Sequence, residues 1–89
     1  MTTVTIRNQY STSKIEGTRK QVISTLQSIA LEKRAQFRDL YGIPMNVHRA
    51  NTSKNEIVNV ASFEIKRMGL ERLIELLNYG VEKYTLTNE

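Results

Sequence analysis

Thr18-Arg19-Lys20-Gln21-Val22-Ile23-Ser24-Thr25-Leu26-Gln27-Ser28-Ile29-Ala30-Leu31 carries the pattern of a long amphipathic helix from its first turn. A threonine followed three residues later by a glutamine is a capping box, in which each side chain satisfies a backbone N–H that the start of a helix leaves without a partner. A second box, Ser13 with Glu16, lies just upstream, but Gly17 weakens that earlier start. Thr18 is therefore the expected cap. From there Val22, Leu26, Ile29, Ala30, Phe37 and Leu40 recur at helical spacing as one apolar stripe, and Gly42 and Pro44 end it. A helix from Thr18 to Tyr41 would be about 36 Å long, more than a short strand covers, so it either overhangs a sheet or breaks.

On the N-terminal side, Val4 and Ile6 alternate with Thr3, Thr5 and Arg7, which predicts a half-buried strand over residues 3 to 8. The polar residues Asn8 to Lys14 read as a connection. On the C-terminal side, Ile43, Met45 and Val47 alternate with Asn46 and His48, giving a second strand, and Ile57, Val58 and Val60 give a third within Glu56 to Ser62. The turn formers Asn51-Thr52-Ser53-Lys54-Asn55 join these two as an antiparallel hairpin. Leu70, Leu73, Ile74 and Leu77 share one face of a second helix that ends at Asn78-Tyr79-Gly80. Its start is placed loosely near residue 65, because Phe63 to Met68 fits either a longer strand or an opening helical turn, with Gly69 a kink. Val81, Tyr84 and Leu86 supply a last strand.

Tyr41-Gly42-Ile43 and Tyr79-Gly80-Val81 echo each other at the two helix-to-strand handovers, as two Schellman endings would. The pattern predicts an α+β fold. Its order, βαββαβ, is that of the split-βαβ or ferredoxin-like arrangement, with a four-stranded antiparallel sheet and two helices on one face. Eighty-nine residues suit a single small domain spanning 1–89.

Charge is divided along the chain: residues 1 to 55 carry nine Lys/Arg against three Asp/Glu, and residues 56 to 89 carry four against six. Such a polarity bears on association rather than on fold. Cysteine is absent, which excludes disulfides, thiolate catalysis and cysteine zinc sites. The N-terminal residues lack an apolar signal core, and no apolar run approaches membrane-spanning length, so the expected location is cytoplasmic with no membrane partner.

Chemistry-bearing constellations are few. Lys14, Gly17, Thr18, Arg19 and Lys20 gather donors and cations at a helix start, but without the GxxxxGK[ST] pattern they read as caps with a solvated flank. Glu71, Glu75, Asn78 and Glu82 form an acidic face with no histidine or oxygen-rich loop to make a metal site. His48 stands alone, without the partners that nucleophilic catalysis requires. Tyr10, Tyr41, Tyr79 and Tyr84 are dispersed. No catalytic, cofactor or metal residues are expected, and the chain reads as a non-enzyme.

At about 100° per residue, Lys20, Gln27, Leu31, Arg34 and Arg38 fall in one sector of the first helix, away from its apolar stripe. An outward leucine among cations is the pattern of a contact face. The expected function is a regulatory or inhibitory protein that occludes an acidic protein partner with this face. In size and in lacking a chemical site, the chain resembles in a general way the short effector proteins of phages and mobile elements that act on host proteins. Self-association through opposed basic and acidic faces fits the same charges. The alternative is a salt-dependent, weakly specific DNA- or RNA-binding module that holds phosphates, because the strand aromatics by which an RRM stacks bases are missing.

Overall fold

The computed structural model describes residues 1–41, 57, 60–78 and 82–89, and the side chains of these except 37–41. Strand β1, Thr2–Arg7, turns back through residues 8–11 into β2, Thr12–Gly17. Helix α1 follows over Arg19–Tyr41. After a single helical turn α2, Ser62–Ile65, comes α3, Leu70–Leu77, and then β3, Lys83–Asn88. The three strands form an antiparallel sheet in the order β2-β1-β3, so the described residues make a small α+β structure.

The register fixes which side chains share a face. Val4 stands opposite Ile15 on one side and Leu86 on the other, while Ile6 stands opposite Ser13 and Tyr84. These residues turn toward the helices. Val4 is fully buried, with Val22, Leu26 and Ala30 of α1, Ile57, Ile65, Leu70, Leu73, Leu76 and Leu77, and Tyr84 closes the same core. Of the stripe that the sequence predicts for α3, Leu70, Leu73 and Leu77 are buried and Ile74 is half-buried, with Leu76 buried beside them.

The capping box forms as read. The Gln21 backbone N–H donates to Thr18 Oγ1 at 3.1 Å, and the Thr18 N–H donates to Gln21 Oε1 at 2.9 Å. A Cβ on Gly17 would lie 2.6 Å from Gln21 Oε1, so a side chain there would displace the amide that completes the box. Ser13 and Glu16 belong instead to β2 and cap nothing.

The ferredoxin-like topology needs correction. Residues 12 to 17, read partly as connection and partly as a helix start, form a strand paired along the whole of β1. Because β3 occupies the other edge of β1, no strand from the middle of the chain has room beside it. The expected second strand around Ile43–Val47, the hairpin turn and most of the third strand lie outside the described residues, as do Gly42, Gly80 and Val81. Where the third strand is described, Ile57 is helical and Ser62 begins α2. The second helix is divided: Gly69 is extended and caps α3, a conformation that ends one helix and starts another.

Helix α1 is unbroken for 23 residues, about 34 Å, against about 20 Å for a six-residue strand. Val22, in its first turn, is already buried, so the excess length lies at its C-terminal end. Asn78 ties α3 to β3: its Nδ2 donates to the Tyr84 carbonyl at 2.9 Å, and its Oδ1 accepts from the Tyr84 N–H at 2.6 Å.

Burial, then the charge of Glu82 and its hydrogen bond, raises the Tyr84 phenol well above its ordinary value of 10.0. The folded state thus keeps this proton where the unfolded chain releases it. Stability is complete below about pH 10 and falls as pH rises further, by up to about 1.4 kcal/mol per pH unit for one proton. Tyr84→Phe is expected to flatten this alkaline loss, measured by urea unfolding across pH 9 to 12. Identical slopes in the two proteins would show that Tyr84 ionises equally in both states.

Candidate functional site

Of the expected contact residues of α1, Gln27, Leu31 and Arg34 make contacts within the chain itself. Gln27 is half-buried, and its Nε2 donates to the carbonyls of Lys66 and Met68 at 3.1 and 3.2 Å, satisfying the backbone where α2 gives way to α3. Arg34 Nε donates to the Val60 carbonyl at 2.7 Å. Leu31 is half-buried and packs against the core cluster. Lys20 is exposed, and the Arg38 side chain lies outside the described residues. Gln27 and Arg34 therefore tie α1 to residues 60–68, and Leu31 is not the outward leucine that its helical position suggests, because it packs on the core.

The opposed charges of the two halves are also used internally. Arg19 bridges Glu71 at 3.1 Å and also pairs with Glu89; Lys33 meets Glu82 at 2.9 Å. The Arg19 guanidinium is raised above its ordinary value, chiefly by its hydrogen bond to Glu71. Glu71 is held below the usual carboxylate range first by its own backbone N–H in the opening turn of α3, then by Arg19. Glu75 pairs with Arg72 one turn away. These contacts are mostly solvent-exposed, and each adds little stability, but they cancel the fields of the groups involved. The acidic face of Glu71, Glu75 and Glu82 is accordingly tied to cations of the same chain, and Asn78 to β3.

The face of the sheet turned away from the helices is different. It carries Thr3, Thr5 and Arg7 from β1, Thr12, Lys14 and Glu16 from β2, and Lys83, Thr85 and Thr87 from β3. The threonines bond among themselves, Thr5 to Thr87 between hydroxyls at 3.1 Å and Thr87 Oγ1 to the Thr3 carbonyl at 3.3 Å. Glu16 accepts from Thr3 Oγ1 at the far end. At the near end Arg7 stands directly opposite Lys83, and Lys14, partner of Thr5, is its diagonal neighbour. All three cations are exposed, and among the described residues no carboxylate pairs with any of them. Directly opposed like charges on a sheet are unfavourable, so this corner is a place where an anion would be bound with gain.

The turn joining β1 to β2 extends the corner. Asn8 Oδ1 accepts from the N–H groups of Tyr10 and Ser11 at 2.7 and 2.8 Å, and the Asn8 N–H donates to the Ser11 carbonyl at 3.0 Å. Held this way, Tyr10 is 87% exposed, the most exposed large apolar residue described. The sequence shows Arg7, Tyr10 and Lys14 close together, but Lys83 joins them only through the pairing of β1 with β3, which links the two ends of the chain.

Among the described residues no group of three His, Asp or Glu side chains is placed to hold a metal ion, and no helix is long and apolar enough to cross a membrane. His48 lies outside the described residues. No family model matches the chain, and neither a curated protein nor a solved structure matches it.

Because Leu31 and Arg34 hold α1 to its neighbours, the double substitution Leu31→Asp/Arg34→Glu is expected to destabilise the protein. Inserting an unpaired carboxylate against the core and removing the Val60 hydrogen bond should lower the unfolding free energy by at least about 2 kcal/mol. An unchanged midpoint in urea would show that this flank is free of the fold.

Proposed function

We propose that the chain is a non-enzymatic module that binds nucleic acid through its phosphates, with little sequence preference, using the outward face of the sheet. The observation that carries this reading is the corner of Arg7, Lys14 and Lys83, three exposed cations with no carboxylate partner among the described residues, on a face otherwise rich in threonine. Arg, Lys and Thr are the side chains that commonly contact phosphate oxygens. A protein partner is less well served by this face. Protein interfaces bury a core at least as apolar as ordinary surface, whereas nucleic-acid interfaces are more polar and more positive. Every residue on the outward face from Thr3 to Arg7 and from Lys83 to Thr87 is polar, and the chain as a whole carries a net +4.

Lysines on edge strands also deter edge-to-edge pairing, which accounts for Lys14 and Lys83 without a ligand. It does not account for Arg7, which stands on the central strand opposite Lys83.

An inhibitory or regulatory protein that acts on another protein is the second reading, and Phe63 favours it. This ring is 62% exposed, with the Arg67 guanidinium carbon 6.0 Å from its centroid, an aromatic and arginine pairing that binding hot spots favour. That reading gains if no nucleic acid binds.

Titration of a fluorescein-labelled DNA duplex, followed by anisotropy at several salt concentrations, tests the proposal. Three phosphate contacts predict a slope of log affinity against log salt of about −3, and Arg7→Ala/Lys83→Ala should reduce its magnitude by about 2. Absence of binding at low salt, or a slope that the double variant leaves unchanged, contradicts it.

A further inference from the structure

Nothing in a phosphate-binding corner distinguishes duplex from single strand, but Tyr10 does. Its ring stands at the tip of a four-residue turn whose flanking residues, Arg7 and Thr12, are register partners, and Lys83 lies opposite Arg7 in the same row. Lys14 is two residues along β2, about 7 Å from the turn by strand geometry. The aromatic ring and the three cations thus occupy one end of the sheet, within the span of a short piece of nucleic-acid backbone.

The turn gives this ring an unusual setting. An exposed aromatic on a loose loop would fold down onto the nearest apolar surface, which removes it from water. Here three hydrogen bonds to the Asn8 carboxamide, from the N–H groups of Tyr10 and Ser11 and the Ser11 hydroxyl, fix the backbone on both sides of the ring. The residues that flank it on the sheet, Arg7, Thr12 and Lys14, are exposed and polar and offer no apolar shelf. Tyrosine therefore presents its π-face to solvent beside a polyanion site. Bases paired within a duplex have their faces covered, whereas an unpaired base offers one for stacking.

Resting on the nucleic-acid reading above, we infer that the preferred ligand is single-stranded nucleic acid, with one base stacked on Tyr10 while Arg7, Lys14 and Lys83 hold the adjoining phosphates. Sequence preference is weak, because every base has a face to stack and none of these side chains reads a base edge. The ring adds to affinity without adding to the salt dependence.

Anisotropy titrations with a labelled oligothymidylate and with a duplex of equal length, at matched low salt, distinguish the outcomes. The wild-type chain is expected to bind the single strand more tightly than the duplex. Tyr10→Ser should weaken single-strand binding roughly fivefold to a hundredfold, the range expected for one stacked base, and leave both the salt slope and duplex affinity unchanged. Because Tyr10 is exposed, the variant should melt at the wild-type temperature, which circular dichroism verifies. Equal affinity for the two DNAs, or no effect of Tyr10→Ser, overturns the single-strand inference while leaving the phosphate-binding reading in place. Failure of both DNAs to bind overturns both, and binding of a polyglutamate peptide alone would assign the corner to an acidic protein segment.

Discussion

The alternation of β1, held by a paired strand on each edge, is the constraint from which the rest of the structure follows. With both edges occupied, the strand cannot slip by one residue without exchanging Val4 and Ile6 for Thr3, Thr5 and Arg7 in the core. That register gives the helices an apolar floor and leaves the opposite surface entirely polar. It also brings Lys83, near the C-terminus, level with Arg7, near the N-terminus, and so creates a charge arrangement that no local segment contains.

Above the sheet, α1 serves two neighbours at once. Val22, Leu26 and Ala30 are fully buried in the core, while Gln27 and Arg34 hold the segment that leads into α3. An extended residue, Gly69, separates α2 from α3, and the carbonyls freed on that turn are the ones that Gln27 satisfies. The basic N-terminal and acidic C-terminal parts of the sequence then meet through Arg19, Lys33, Glu71, Glu82 and Glu89. Part of the charge that looks available for a partner in one dimension is thus matched in three, while Arg7, Lys14 and Lys83 at one end of the sheet meet no carboxylate among the described residues.

Local signals in the sequence were reliable where a residue's neighbours decide its structure. The Thr18/Gln21 box, β1, β3 and the buried leucines of α3 all rest on short-range periodicity or capping and appear where the sequence predicts them, although α3 itself begins at Leu70 rather than near residue 65. Strand β2 was illegible because an edge strand with one apolar residue, Ile15, shows no alternation; its exposed Thr12, Lys14 and Glu16 look like a loop. Leu31 shows a related effect: angular position on a helix identifies the sector opposite the main stripe, but not whether other residues pack against it. The candidate site was only partly visible: Arg7, Tyr10 and Lys14 are near in sequence, whereas their grouping with Lys83 depends on strand pairing across almost the whole chain.

On the reading proposed above, the outward face of the sheet, and not α1, meets the ligand. The most direct measurement is a two-dimensional amide NMR titration of the isotope-labelled chain with an oligothymidylate at low salt. Shift changes are expected at Thr5, Arg7, Tyr10, Thr12, Lys14, Lys83 and Thr85, with α1 largely silent. Changes confined to Lys20, Gln27, Leu31 and Arg34 would contradict it.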